Sequence, residues 1–178
     1  MNWKMITCVA LVSISSYATA ADKSANRDRD LLQEVSSIQI EVDRAVAPIQ
    51  SKADLDAYLR SGIKSPLFAL RKPLRERFIS SLVFTNHGLA SYSWKELSTL
   101  SVEDSYKILS LFGEQGAIAS IPGVSAKNRN EENILLISPT PSIRHDTIEN
   151  AACIVDGSQT PVSRCVYEYG SNCNPRCA

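Results

Sequence analysis

Four cysteines crowd the C-terminal end of this chain: Cys153, Cys165, Cys173 and Cys177. An even number of closely placed cysteines reads as a disulfide framework if the chain reaches an oxidising compartment. The N-terminus supplies a route to one. Lys4 is followed by an apolar run from Met5 to about Ile14, and Ala18-Thr19-Ala20 is a small-residue cleavage site of the A-x-A kind. The run falls short of the ~20 apolar residues that cross a bilayer. Residues 1–20 are therefore expected to be a cleaved signal peptide, and the product is expected in the periplasm or outside the cell. Cys8 lies inside the run with no lipoprotein-type cleavage pattern before it, so it leaves with the leader.

A four-cysteine zinc site is the competing chemistry. Such sites usually show two close pairs, and only Cys173 and Cys177 are close here. Two disulfides and no bound metal are expected. A Cys173–Cys177 bridge would close only a tiny loop. Bridges back to Cys153 or Cys165 remove more unfolded-state entropy, on the order of 3 kcal/mol for a loop of ~15 residues. The nested pairing, Cys153–Cys177 with Cys165–Cys173, and the crossed pairing, Cys153–Cys173 with Cys165–Cys177, both remain open.

Other chemistry is thinly supported. The two histidines, His87 and His145, have no positioned second group. His87 stands beside Gly88 at an expected helix end. Asp146 follows His145 directly, and neighbours on a helix point in different directions. No serine lies in G-x-S-x-G or S-x-x-K, and neither H-E-x-x-H nor a phosphate loop is present. Gly113 to Gly116 resembles a glycine-rich loop only superficially, because it follows a helix and lacks the lysine. Glu96 and Glu114 are the acids a muramidase would need, but glycoside cleavage requires them about 5–9 Å apart and nothing in the sequence places them so. No catalytic residue and no cofactor are expected.

One charge cluster stands out: Arg60, Lys64, Arg71, Lys72, Arg75 and Arg77. A solvated helix face balanced by Glu76 and the acids of the first helix accounts for it simply. The functional reading is a face formed by Arg71, Lys72, Arg75 and Arg77 that meets an anionic partner. Over the whole chain 19 basic residues face 19 acidic ones, and loss of Lys4 with the leader leaves about −1. That balance provides no field for nucleic acid. No segment after the leader is long and apolar enough to span a membrane.

The elements that would position these residues read as helices. Leu31, Val35, Ile38, Val42, Ala45 and Ile49 alternate steps of four and three, a near-heptad stripe ended by Pro48. Ser51 with Asp54 opens a second helix carrying Leu55, Tyr58 and Leu59, and Gly62 closes it. Ser65 to Gly116 is the organising stretch, read as a run of helices. Ser65-Pro66 starts a turn. Pro73 opens a helix bearing Leu74, Phe78, Ile79, Leu82 and Val83, with Gly88 at its end and Leu89 packing back. Ser93 with Glu96 forms a capping box. Ser101 with Asp104 caps the strongest helix, on which Val102, Tyr106, Ile108, Leu109, Leu111 and Phe112 make a wide apolar face. Residues 124–133 read as an exposed loop, Ile134 to Ile137 as a run of undecided state, and Ile143 to Val155 as room for one more short helix broken off by Pro139 and Pro141.

The expected fold is mostly α: a compact bundle of four to six helices over residues 21–138, followed by a turn-rich, disulfide-stapled tail over 139–178. The expected function is a non-enzymatic exported binding protein of the inhibitor, immunity or envelope-factor kind, partnered by another protein or an envelope component. A small cell-wall hydrolase and a precursor that releases its cysteine-rich tail are the alternatives. Amino-terminal sequencing of the exported protein should begin at Ala21, and Met1 retained on exported material would show the leader to be misread.

Overall fold

The computed structural model describes residues 17–138, 148–156 and 163–177, with side chains from residue 30 onward. Most of the leader, His145, Pro139 and Pro141 lie outside the described residues. The chain divides into two compact units, residues 1–35 and 36–178. Helix α1, Tyr17–Ala45, supplies the described part of the first and opens the second. Among the described residues no helix is long and apolar enough to cross a membrane.

In the second unit several of the local helix signals act as expected. Ser51 caps α2, Lys52–Arg60, by accepting the Asp54 N–H at 3.1 Å, and Leu55 anchors that helix in the core. Ser65 caps a 3₁₀ turn at Pro66–Ala69. Helix α3 runs over Lys72–Ser80 and buries Phe78. Ser101 caps α4, Val102–Ser110, by accepting the Asp104 N–H at 3.0 Å. Val102, Ile108 and Leu109 are buried on α4, and Leu111 and Phe112 are buried just past its end. Helix α5, Arg129–Ile137, begins inside the stretch read as an exposed loop; Asn128 caps it, and the Glu131 carboxylate receives the Lys127 N–H at 2.6 Å. It also takes in the undecided run from Ile134.

The mostly α bundle is overturned. Residues 83–93 and most of the described residues of the cysteine-bearing tail form a four-stranded antiparallel sheet, so the fold mixes α and β. Its strands are β1 (Val83–Thr85), β2 (Gly88–Ser93), β3 (Ile148–Val155) and β4 (Ser163–Cys173), in the order β1-β2-β4-β3. The described part of the tail is therefore strand-rich rather than turn-rich, and β4 lies inside the sheet between β2 and β3. Gly88, at φ 109°, belongs to the β1–β2 turn and not to a helix end, and His87 sits in that turn with its N–H on Thr85 Oγ1. Ser93 and Glu96 do not open an α-helix: the Ser93 hydroxyl donates to Glu96 at 2.6 Å around a single turn that leads into the short 3₁₀ segment Leu97–Thr99.

Strand β2 hides its nature for a physical reason. All six of its residues are buried, so no alternation of polar and apolar residues marks it. It also carries a bulge. Val83 pairs with Ser91 but Phe84 pairs with Leu89, which leaves Ala90 as an extra residue. The phase slip puts Leu89 and Tyr92, three positions apart, into the same main core, while Ala90 packs into a second small core with Ala151, Cys153, Cys173 and Cys177. Spacing of three suggests a helix on paper.

The β3–β4 pair bends back on itself. The register runs Glu149 with Asn172 and then Ala151 with Tyr167, so four residues of β4 oppose the single residue Asn150. Asn150 takes φ 54° and Gly170 φ 90°, and the Gly170 N–H donates to Asn150 Oδ1 at 3.0 Å. Cys165 and Cys173 are eight residues apart on one strand, yet their Cα atoms are 5.9 Å apart. A straight strand would separate them by ~26 Å. The outer arm, residues 151–155 and 163–167, thus folds over the sheet, and the Cys153 N–H donates to Ser91 Oγ at 3.0 Å.

Phe112 joins the two halves of the main core, edge-on to Phe78 at 6.2 Å and tilted against Phe84 at 6.4 Å. Phe112→Ala should destabilise the protein by about 3–5 kcal/mol. Urea denaturation measures this, and a midpoint equal to wild type would place Phe112 outside the core.

Candidate functional site

The most demanding polar feature is buried. Arg44 near the end of α1 is 2 % exposed, and its Nε donates to Glu114 Oε1 at 2.8 Å; Glu114 is 1 % exposed. Asn174 Nδ2 donates to the same carboxylate oxygen at 3.2 Å and to the Leu89 carbonyl at 2.7 Å. Gly113 makes the approach possible. It adopts φ 73°, and a Cβ there would stand 2.5 Å from Arg44 Cα. Outward from the pair, Arg44 Nη1 reaches Glu41 at 3.1 Å, and Arg176 Nη2 lies 3.7 Å from the same acid. Burial, reinforced by the Arg44 charge, pushes the Arg176 guanidinium below its ordinary value, while Glu41 and Glu114 pull it back. Among the described residues, two cations and two anions meet here.

These groups fix the rotation of α1 about its own axis. Ile40 and Arg44 turn inward. Among the described residues, Ser37, Ile38, Glu41, Val42 and Ala45 of this helix line a shallow surface groove. Ile38 is 57 % and Val42 49 % exposed, and Val46 just beyond the helix is exposed too. In the first unit Leu31, Leu32 and Val35 are likewise exposed. Of the near-heptad stripe, Leu31, Val35, Ile38, Val42 and Ala45 are exposed, and only Ile49, past the end of the helix, enters the core.

Each residue singled out by sequence has a defined place. The cysteines pair in the nested way, Cys153–Cys177 and Cys165–Cys173. The sulfurs of Cys153, Cys173 and Cys177 lie within 4.8 Å of one another, but all are covalently paired and offer no thiolate to a metal. Of the expected anionic-partner face, Arg71 is exposed at the start of α3 and Lys72 stands 3.9 Å from Glu76. Arg75 lies over the Phe68 ring at 4.6 Å, and Arg77 Nε is 3.4 Å from Glu96. Three of the four thus have partners within the chain. Glu96 and Glu114 are each buried under their own partners, Ser93 and Arg77 for one, Arg44 and Asn174 for the other.

Sequence reasoning missed Arg44 and Asn174. They meet Glu114 across 70 and 60 positions, and no local spacing encodes such a contact. Gly113 beside Glu114 is the one local trace of it. No family model matches the sequence, and no curated protein or solved structure shows significant similarity to it.

Glu114→Ala would strand the Arg44 guanidinium in the interior. Breaking a buried pair from one side costs about 3–5 kcal/mol. Thermal unfolding should show the loss, and an unchanged transition would mean that water reaches the pair.

Proposed function

We propose that the chain is a non-enzymatic exported binding protein that receives an apolar helical segment of another protein along α1. The observation that carries this reading is the exposed run Ile38, Val42 and Ala45, continued by Val46 just past the helix end, on a helix whose opposite side is already committed to the core through Ile40 and Arg44. Apolar side chains at helical spacing left in solvent are the usual receiving surface for an amphipathic helix. The four-three spacing that continues back to Leu31 is the spacing such a partner helix would share. Export to the periplasm or the medium is part of the proposal. The two disulfides support an oxidising destination, and the leader-like start supplies the path.

The two alternatives have less support. Both acids considered for wall hydrolysis are buried and engaged. Release of the cysteine-rich tail would remove β4 from the interior of the sheet.

A photo-crosslinking residue at position 38 or 42 tests the reading, with position 136 as the exposed control. In the native envelope or secreted fraction, a discrete adduct should form from 38 and 42, and Val42→Asp should abolish it without changing the circular dichroism spectrum. Equal adducts from all three positions, or turnover of purified peptidoglycan by the protein, would overturn the reading. A dimer in sedimentation that Val42→Asp converts to monomer would replace it with self-association.

A further inference from the structure

The cysteine cluster holds more than two staples. Cys173, Cys153 and Cys177 are 0 %, 3 % and 1 % exposed, whereas Cys165 is half-buried on the outer arm. A reductant from solvent therefore meets the Cys165–Cys173 bond first, at Cys165. The sulfur behind it, Cys173, lies within 4.8 Å of both sulfurs of the other bond. We propose that Cys173 relays thiol–disulfide exchange between the two bonds, so that reduction at the surface is passed to the buried Cys153–Cys177 bridge.

The electron accounting is complete with an external dithiol as reductant. One thiolate of the dithiol attacks Cys165 Sγ, and the Cys165–Cys173 bond breaks with its electron pair leaving on Cys173. The second thiol of the reductant closes on the first and expels Cys165 as a thiolate. Two electrons have then entered the protein, and the reductant has become a cyclic disulfide. The Cys173 thiolate next attacks one sulfur of Cys153–Cys177. A new bond to Cys173 forms, the other sulfur leaves as a thiolate and takes up a proton, and this step is redox-neutral. The second attack is intramolecular and begins from neighbouring sulfurs, which favours it over attack by a second dithiol on a bond shielded from solvent.

Either product changes what the bridges hold. If Cys173 takes Cys177, the folded-back arm loses both ties. If it takes Cys153, the C-terminal turn Pro175–Cys177 is freed, and with it Arg176, whose carbonyl accepts the Thr85 hydroxyl at 2.6 Å. The cluster is thus a redox-sensitive latch on the β3–β4 arm and the C-terminal turn. It does not depend on α1 having a partner.

The test uses the full exported chain with one equivalent of dithiothreitol, N-ethylmaleimide trapping and peptide mapping. The expected two-thiol species carries label at Cys165 and at either Cys153 or Cys177, with Cys173 unlabelled. Label at Cys165 and Cys173 together would show that no relay occurs. Label at Cys153 and Cys177 without Cys165 would show that the buried bond opens first. Either result overturns the proposal, as does passage to four thiols with no two-thiol species. In a Cys165→Ser variant, Cys173 should be found bridged to Cys153 or Cys177 after equilibration. An intact Cys153–Cys177 bridge beside a free Cys173 thiol would overturn the proposal independently.

Discussion

The ion pair between Arg44 and Glu114 is the constraint on which the second unit depends. Taking a guanidinium and a carboxylate out of water costs several kcal/mol per ion, so such a pair persists only where geometry and added hydrogen bonds compensate. Here the pair is 2.8 Å long, Asn174 adds a second donor to the carboxylate, and Glu41 adds a second acceptor to the guanidinium. The pair joins the end of α1, the turn after α4 and the C-terminal segment. Three parts of the chain remote in sequence must all be in place before either charge is satisfied. Such a requirement favours one arrangement over near alternatives even where an apolar contact would be equally stable.

Asn174 extends that requirement to the sheet. The bulge at Ala90 displaces backbone groups that a regular ladder would pair. The Asn174 side chain donates to the Leu89 carbonyl, and its backbone N–H donates to the Ala90 carbonyl at 2.9 Å. One residue thereby closes both the buried charge cluster and the irregular strand. The bulge in turn directs Leu89 and Tyr92 toward the helical core and leaves Ala90 and Ser91 for the folded-back arm. The disulfides hold that arm where Ser91 can accept the Cys153 N–H. Charge cluster, bulge and staples are successive parts of one arrangement.

What could be read from the sequence follows the range of the interactions. Ser51 with Asp54 and Ser101 with Asp104 are contacts three positions long, and both helix starts were legible. The preference for bridging Cys173 and Cys177 backwards was legible as well, since loop entropy depends only on sequence separation; the choice of nested over crossed pairing was not. Strand β2 was hidden because burial on both sides removes alternation and a bulge imitates helical spacing. The tail strands were hidden because their register is interrupted at Asn150, where one residue faces four. The charge cluster is wholly long-range. Glu114 is visible in the sequence as an acid, but its partners Arg44 and Asn174 lie 70 and 60 positions away.

The clearest lesson concerns α1. Its four-three spacing is a true property of the sequence, and the helix forms, but the stripe points the opposite way from a core assignment. The helical phase explains this. Residues two apart on an α-helix are separated by about 200° around the axis. With Ile40 and Arg44 inward, Ile38 and Val42 must turn outward. Arg44 has the stronger claim on the interior, because Gly113 and Glu114 offer it a close backbone and a charge, whereas Val42 loses only apolar contact by facing water. The pair that holds the fold together therefore also selects which side of α1 is left for something else to cover.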